Sequence, residues 1–169
     1  MQRAACSNGF LALILMAGGA SAGDLSQAQS ATVLGPLNQL LSEGSVALEA
    51  GRFEEGVRLT LAGLEQPNNP RDKASGYTNV CAGYAALKRW HKALDHCNRA
   101  LELDRNNWRT YNNRAAVFTG LKRFELAIAD VNKGLALAPD SGTLQKSLEV
   151  VNQHREAASR ERWRRPDKA

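Results

Sequence analysis

The sequence has few of the patterns that mark a catalytic or metal-binding protein. It contains no phosphate-loop glycine pattern and no H-E-x-x-H zinc-protease motif. Its 169 residues include only 3 cysteines, and no two of them form a C-x-x-C redox motif. We therefore name no catalytic residue, and we expect that the chain is not an enzyme and holds no cofactor.

Neither a long apolar run nor a strong charge is present. No apolar run reaches the roughly 20 residues that a helix needs to cross a bilayer. The formal net charge of +5 is too small to predict binding to nucleic acid. With 43% apolar and 23% charged residues, the composition is typical of a globular protein, and the length allows one domain with tails.

The first 22 residues have the pattern of an export signal. Arg3 precedes the apolar run FLALILMAGG, and the segment Ala20-Ser21-Ala22 has the small side chains that a leader peptidase needs beside the cleaved bond. We expect a signal peptide over residues 1–22, cleavage after Ala22, a periplasmic location and a linker over residues 23–36. A retained signal is the alternative.

The most informative feature is an internal repeat. The sequence matches itself after a shift of 34 residues, and the segment Leu87-Lys88-Arg89 falls on Leu121-Lys122-Arg123. A period of this length in a helix-rich sequence is typical of stacked helix–turn–helix units. Small and aromatic residues recur at matching positions of the two copies. In the last copy the matching positions are Tyr111, Ala115, Phe118, Ala127, Val131, Gly134 and Pro139, and in the middle copy they are Tyr77, Cys81, Tyr84, Ala93, Cys97 and Ala100.

These positions resemble the tetratricopeptide repeat family. A weaker first copy has its landmarks at Leu40, Gly44, Ala47, Phe53, Gly56, Thr60 and Gly63. The resemblance implies an all-α fold, a right-handed α-solenoid of about three helix–turn–helix repeats with a C-terminal capping helix. We predict repeats over 37–139 (37–70, 74–107 and 108–139), with the segment QPNNPRDK as a loop. A capping helix is predicted over 140–160, followed by a frayed basic tail over 161–169.

Cys81 and Cys97 are the two cysteines that would remain after export. An even number of cysteines in an exported protein favours a disulfide. The alternative, two free cysteines buried as small apolar side chains, stays open. A zinc site built from Cys81, His91, His96 and Cys97 is not expected, because the spacing would not bring four ligands together. We therefore predict no metal site.

In the tetratricopeptide repeat family, the first helix of each unit lines a concave groove that binds peptides or partner helices. The resemblance implies that Asn79, Arg109, Asn112 and Asn113 face this groove, together with Thr78, Ala82 and Ala116. Asn79 and Arg109 resemble two members of a clamp that holds a peptide carboxylate, but Leu41 and Ser45 stand where that clamp uses lysine and asparagine. The expected function is an exported adaptor that binds another protein or peptide, in envelope assembly or secretion.

The C-terminal segment supports a second hypothesis. Basic residues outnumber acidic ones there, and Trp163 is an aromatic residue of the kind found at membrane interfaces. The segment could make weak contact with anionic lipid or polysaccharide, while the alternative is a solvated helix end. The cations are Arg155, Arg160, Arg162, Arg164, Arg165 and Lys168.

Overall fold

Seven helices follow one another in the computed structural model, which describes residues 38–164. That part of the chain contains no strand. The predicted signal peptide, the linker and residues 165–169 of the tail lie outside the described residues. We number the helices from the first described one. They are α1 (Gln39–Glu49), α2 (Phe53–Leu64), α3 (Pro70–Ala86), α4 (Trp90–Leu103), α5 (Trp108–Gly120), α6 (Phe124–Leu137) and α7 (Gly142–Arg164).

An asparagine starts the first helix of each hairpin. The side-chain oxygens of Asn38, Asn69 and Asn107 accept hydrogen bonds from backbone N–H groups in the first turns of α1, α3 and α5. Such caps satisfy amides that have no partner inside the helix. At α3 the cap is followed by Pro70, whose fixed φ suits the first helical position. The helix therefore begins inside the segment 66–73 that we predicted as a loop.

The turn inside each hairpin has the same conformation three times. Gly51, Lys88 and Lys122 adopt positive φ angles of 75°, 56° and 59°. The N–H of the next residue, an arginine in every case, donates a 2.8 Å hydrogen bond back to the end of the preceding helix. This is the usual way in which a left-handed residue ends a helix. The 34-residue match at Leu87-Lys88-Arg89 thus corresponds to a repeated turn.

The first helices, α1, α3, α5 and α7, lie side by side in the same direction. A Cβ added at Gly76 would touch Leu41, and one added at Gly83 would touch Leu48, seven residues further along both helices. The second helices, α2, α4 and α6, each pack between two first helices. The result is the predicted right-handed α-solenoid, in which every hairpin buries its apolar face against the next one.

Helix α7 closes the last hairpin. Leu144 and Val151 are buried, and Leu144 fills the space above Gly134 of α6. Arg155 pairs with Glu125 at 3.3 Å, next to the start of α6. The helix continues to Arg164, beyond the predicted end at residue 160, so the first part of the tail that we expected to be frayed is helical.

None of the seven helices is both long and apolar enough to cross a membrane, a statement that covers the described residues alone.

Candidate peptide-binding groove

The first helices form one continuous face of the solenoid, which we call the A face. Each of them contacts the next, from α1 to α7, whereas α2, α4 and α6 contact one another little or not at all. When the helices in one layer of a stack pack more closely than those in the other, the stack curves toward the more closely packed layer. The A face is therefore the concave face, the place where repeat solenoids bind extended ligands.

Buried polar contacts tie neighbouring first helices together behind this face. The hydroxyls of Thr78 and Thr110 hydrogen-bond at 2.7 Å, between α3 and α5. One unit further on, Ser147 of α7 donates a 2.6 Å hydrogen bond to the amide oxygen of Asn112. Asn112 is 3% exposed. A ligand could reach its amide only if this bond broke, so Thr78 and Asn112 serve first to join helices.

Three other predicted groove residues have polar groups without a partner. Asn79 on α3 is half-buried, Asn113 on α5 is 5% exposed, and Arg109 is exposed in the first turn of α5. None of the three side chains forms a hydrogen bond or ion pair with another described residue. The guanidinium of Arg109 lies over the ring of Trp108, 4.5 Å from its centroid. This stacking restricts the arginine while leaving its N–H groups available.

The first unit contributes no charge where a carboxylate clamp would have one. Leu41 packs into the space left by two glycines, since a Cβ added at Gly63 would lie 2.8 Å from Leu41 Cδ2 and one at Gly76 would lie 3.3 Å from it. Leu41 is thus a packing residue between α1, α2 and α3. Ser45 is half-buried, and its hydroxyl lies 3.5 Å from a carboxylate oxygen of Glu49 on the same helix. Arg109 therefore stands alone among the clamp positions as a cation.

Comparison with known proteins agrees with this architecture. No family model matches the chain. Sperm-associated antigen 1 of mouse is 30% identical over 114 residues, which are 68% of this chain and 12% of that protein. The first TPR domain of human RPAP3 superposes with a TM-score of 0.63 at 26% identity, covering 72% of this chain and 92% of that domain. The chain belongs to the tetratricopeptide repeat family.

Two further relatives show how far this tetratricopeptide repeat similarity reaches. Human peptidyl-prolyl cis-trans isomerase FKBP4 is 32% identical over 122 residues, or 65% of this chain, but the match spans 27% of the isomerase. The first TPR of Spaghetti was solved bound to the HSP90 peptide SRMEEVD, and it matches 68% of this chain and 89% of that domain with a TM-score of 0.60 at 27% identity. The chain thus spans 12% and 27% of the two curated relatives named here, and their whole activities do not follow from the repeats.

The sequence did not indicate that a histidine of the middle repeat is half-buried between two tyrosines. His96 of α4 lies between Tyr77 and Tyr84, with ring centroids 5.9 and 5.6 Å away. Its Nδ1 is buried and has no hydrogen-bond partner in the described structure. Burial lowers the pKa of His96, Arg99 lowers it further, and Asp95 opposes them. The only sequence signal was its position one residue before Cys97.

The last repeat has an ion pair at the corresponding place. Asp130 of α6, 34 residues after His96, is buried and accepts two hydrogen bonds from Arg114 of α5, at 2.7 and 2.8 Å. Arg114 also donates to Asn98 of α4 at 2.8 Å. The arginine therefore joins three helices of two repeats, which the tetratricopeptide pattern did not predict.

Cys81 and Cys97 face each other across the α3–α4 crossing. Both are fully buried, and their Cα atoms are 5.1 Å apart. This separation lies inside the range of about 4.4–6.8 Å that disulfides require. No group of three or more His, Cys, Asp or Glu residues between 38 and 164 is arranged to hold a metal ion.

Proposed function

We propose that this chain is a non-enzymatic adaptor that binds an extended peptide of another protein along its A face. The observation that carries the proposal is the set of unpartnered polar groups of Asn79, Arg109 and Asn113 on the concave side. Ala82 and Ala116 lie on the same two helices, and their small side chains leave room for a peptide backbone. The peptide bound by the first TPR of Spaghetti supports the choice of an extended ligand.

The proposed ligand carries one carboxylate that is recognised strongly. A guanidinium can bind a carboxylate through two parallel hydrogen bonds, and stacking on Trp108 holds Arg109 ready for this contact. The amides of Asn79 and Asn113 can each both donate to and accept from a peptide backbone. Leu41 stands where a complete clamp has a second cation. A peptide with several acidic groups should therefore bind less tightly to this groove than to a complete clamp.

A matched pair of variants tests the groove. Asn79→Ala with Arg109→Ala removes one amide and one guanidinium from the A face. Asn132→Ala with Arg58→Ala removes the same groups from exposed positions on second helices. Crosslinking pull-down from the native envelope fraction should recover a partner with the wild type and the second variant, and lose it with the first. Equal recovery by both variants would contradict the groove assignment.

The peptide SRMEEVD gives a direct measure of carboxylate recognition. We expect weak binding by fluorescence anisotropy that falls about tenfold or more when Arg109 is replaced by alanine, because a charge-assisted bidentate contact is lost. Amidation of the peptide's C-terminus should have less effect on that variant than on the wild type. Equal losses on amidation would show that Arg109 does not hold the terminal carboxylate.

We further propose that the adaptor works in the periplasm, in envelope assembly or secretion, with its leader removed after Ala22 and Cys81 bridged to Cys97. The small-x-small pattern before residue 23 and the paired buried cysteines support this location. Mass spectrometry of the protein from a periplasmic fraction should show Gly23 as its first residue. A full-length mass in the cytosol alone would contradict export.

A further inference from the structure

The three turns inside the hairpins lie along one edge of the solenoid, and this edge is basic. Because the first helices run parallel, their C-terminal ends meet at the same edge. The turns 50–52, 87–89 and 121–123 contain five cations and no acid, whereas the loops at the opposite edge, 65–69, 104–107 and 138–141, contain one cation and three acids. The turn cations are Arg52, Lys88, Arg89, Lys122 and Arg123, against Arg105, Glu65, Asp104 and Asp140 opposite.

Four of the turn cations are exposed and unpaired. Lys88, Arg89, Lys122 and Arg123 form no ion pair with any residue between 38 and 164. Arg52 is different, since it pairs with Glu55 at 2.8 Å. The other acids at the starts of the second helices are Glu54, which is exposed, and Glu125, which pairs with Arg155. These acids therefore do not neutralise the four cations in the turns 87–89 and 121–123.

The stability of the turns does not explain these residues. Lys88 and Lys122 adopt a left-handed conformation that glycine adopts without strain, as Gly51 does in the first turn. Arg89 and Arg123 stand at the N-caps of α4 and α6 and make no side-chain capping bond. Asparagine, aspartate or serine would stabilise a helix there. Charge at this edge is what the four residues have in common.

The end of α7 projects beyond this edge, next to the last turn. Beyond the contact between Arg155 and Glu125, residues 156–164 continue as helix for roughly 13 Å, at about 1.5 Å per residue. This extension carries Arg160, Arg162 and Arg164, and among residues 38–164 only Arg160 has an ion-pair partner, Glu156. The extension also carries Glu161. Trp163 on the extension is 86% exposed.

We propose that this surface docks onto an anionic lipid layer. The surface, which we call the basic rim, consists of Lys88, Arg89, Lys122, Arg123 and the extension 156–164. Cations beside an anionic layer supply long-range attraction, and an exposed tryptophan among them inserts at the boundary between headgroups and acyl chains. A lipid layer can bury the whole indole ring at this boundary, whereas a soluble polyanion such as a polysaccharide can contact only one of its faces. The rim leaves the A face open, so it does not depend on the proposed peptide binding.

Removal of two charges without loss of folding tests the rim. Lys88→Gly with Lys122→Gly places glycine where the backbone favours it, so thermal unfolding should be unchanged or higher. Arg71→Gln with Arg105→Gln is the matched control, because it removes two exposed cations near the opposite edge. The full chain is mixed with vesicles of phosphatidylglycerol and phosphatidylcholine, or of phosphatidylcholine alone, and sedimented.

The wild type should bind only the anionic vesicles at about 0.1 M salt and dissociate near 1 M, where the Debye length falls from about 10 Å to about 3 Å. Each cation at the surface contributes about fivefold in partitioning, so the glycine variant should bind about 25-fold more weakly and the control about as well as the wild type. Equal weakening of the two variants, or no binding of the wild type to anionic vesicles, would overturn the proposal.

Trp163→Ala separates lipid from other polyanions. With a lipid partner, this variant binds vesicles more weakly but binds heparin as the wild type does, and the wild-type tryptophan fluorescence shifts to shorter wavelength on anionic vesicles. If Trp163→Ala binds vesicles as the wild type does, Trp163 does not insert into lipid, and the argument for lipid over a soluble polyanion is lost. If the glycine variant loses heparin binding while its vesicle binding stays the same, the rim recognises a soluble polyanion and the lipid assignment is wrong.

Discussion

Gly44 lies where α1 crosses α2, and a methyl group there would have no room. A Cβ at this position would lie 2.9 Å from the backbone nitrogen of Thr60 and 3.1 Å from the carbonyl oxygen of Gly56. At a solvent-exposed position inside a helix, alanine stabilises the helix by about 1 kcal/mol relative to glycine. At Gly44 the added methyl group would overlap backbone atoms, which cannot change rotamer as a side chain can. Gly44→Ala should therefore lower the free energy of unfolding by about 1–3 kcal/mol, measured by urea denaturation.

Gly142→Ala is the control for that substitution, because no atom lies within 4 Å of the added Cβ. It should leave stability unchanged or raise it slightly. Equal stability of Gly44→Ala and the wild type would mean that the α1–α2 crossing can open without cost.

His96 should make stability depend on pH. Burial between the tyrosines lowers the pKa of His96 below its ordinary value of about 6.5, so the unfolded chain binds the proton more tightly than the folded one. The free energy of unfolding should therefore fall as pH drops below about 6.5, until the pH passes the folded pKa. Urea midpoints at about pH 7.5 and 5.5 measure this loss.

Two variants isolate the contribution of His96. His96→Phe keeps an aromatic ring between Tyr77 and Tyr84 and should reduce the loss of stability at acidic pH. His91→Gln replaces an exposed histidine and should not change it. An unchanged pH profile in His96→Phe would show that other groups cause the acid sensitivity.

Among the elements, the hairpins were predictable and several of their ends were not. The 34-residue match places Cys81, Ala93, Cys97 and Ala127 at helix crossings, and all four are buried. The start of α3 was missed because asparagine and proline suggest a loop, although the pair also caps a helix. The composition of the C-terminal segment favours fraying, but the ion pair between Glu156 and Arg160, four residues apart, supports a helix leading into it. Contacts such as Ser147 with Asn112 depend on how α7 aligns with α5, which sequence spacing leaves open.

The proposed bridge between α3 and α4 should stabilise the middle repeat. A link across 16 residues restricts the unfolded chain and contributes about 3 kcal/mol. Reductant should therefore lower the thermal midpoint of protein isolated under oxidising conditions, whereas Cys81→Ala with Cys97→Ala should unfold at one temperature with or without it. If the thiols of the unreduced, unfolded protein react fully with a thiol reagent, the bridge is absent.

At the scale of the whole molecule, α7 has two parts with separate roles. Its first part covers the last hairpin, because Leu144 and Val151 belong to the core formed with Ala115, Ala127 and Val131.

Truncation after Pro139 exposes this core, and we expect a lower thermal midpoint and binding of an apolar dye. Truncation after Arg155 keeps both buried residues and the contact with Glu125, so folding should be retained while only the extension is lost. Circular dichroism melts of the two truncated chains distinguish these roles. If the shorter chain melts like the longer one, the repeats support themselves without α7, and the helix serves only to carry the basic rim.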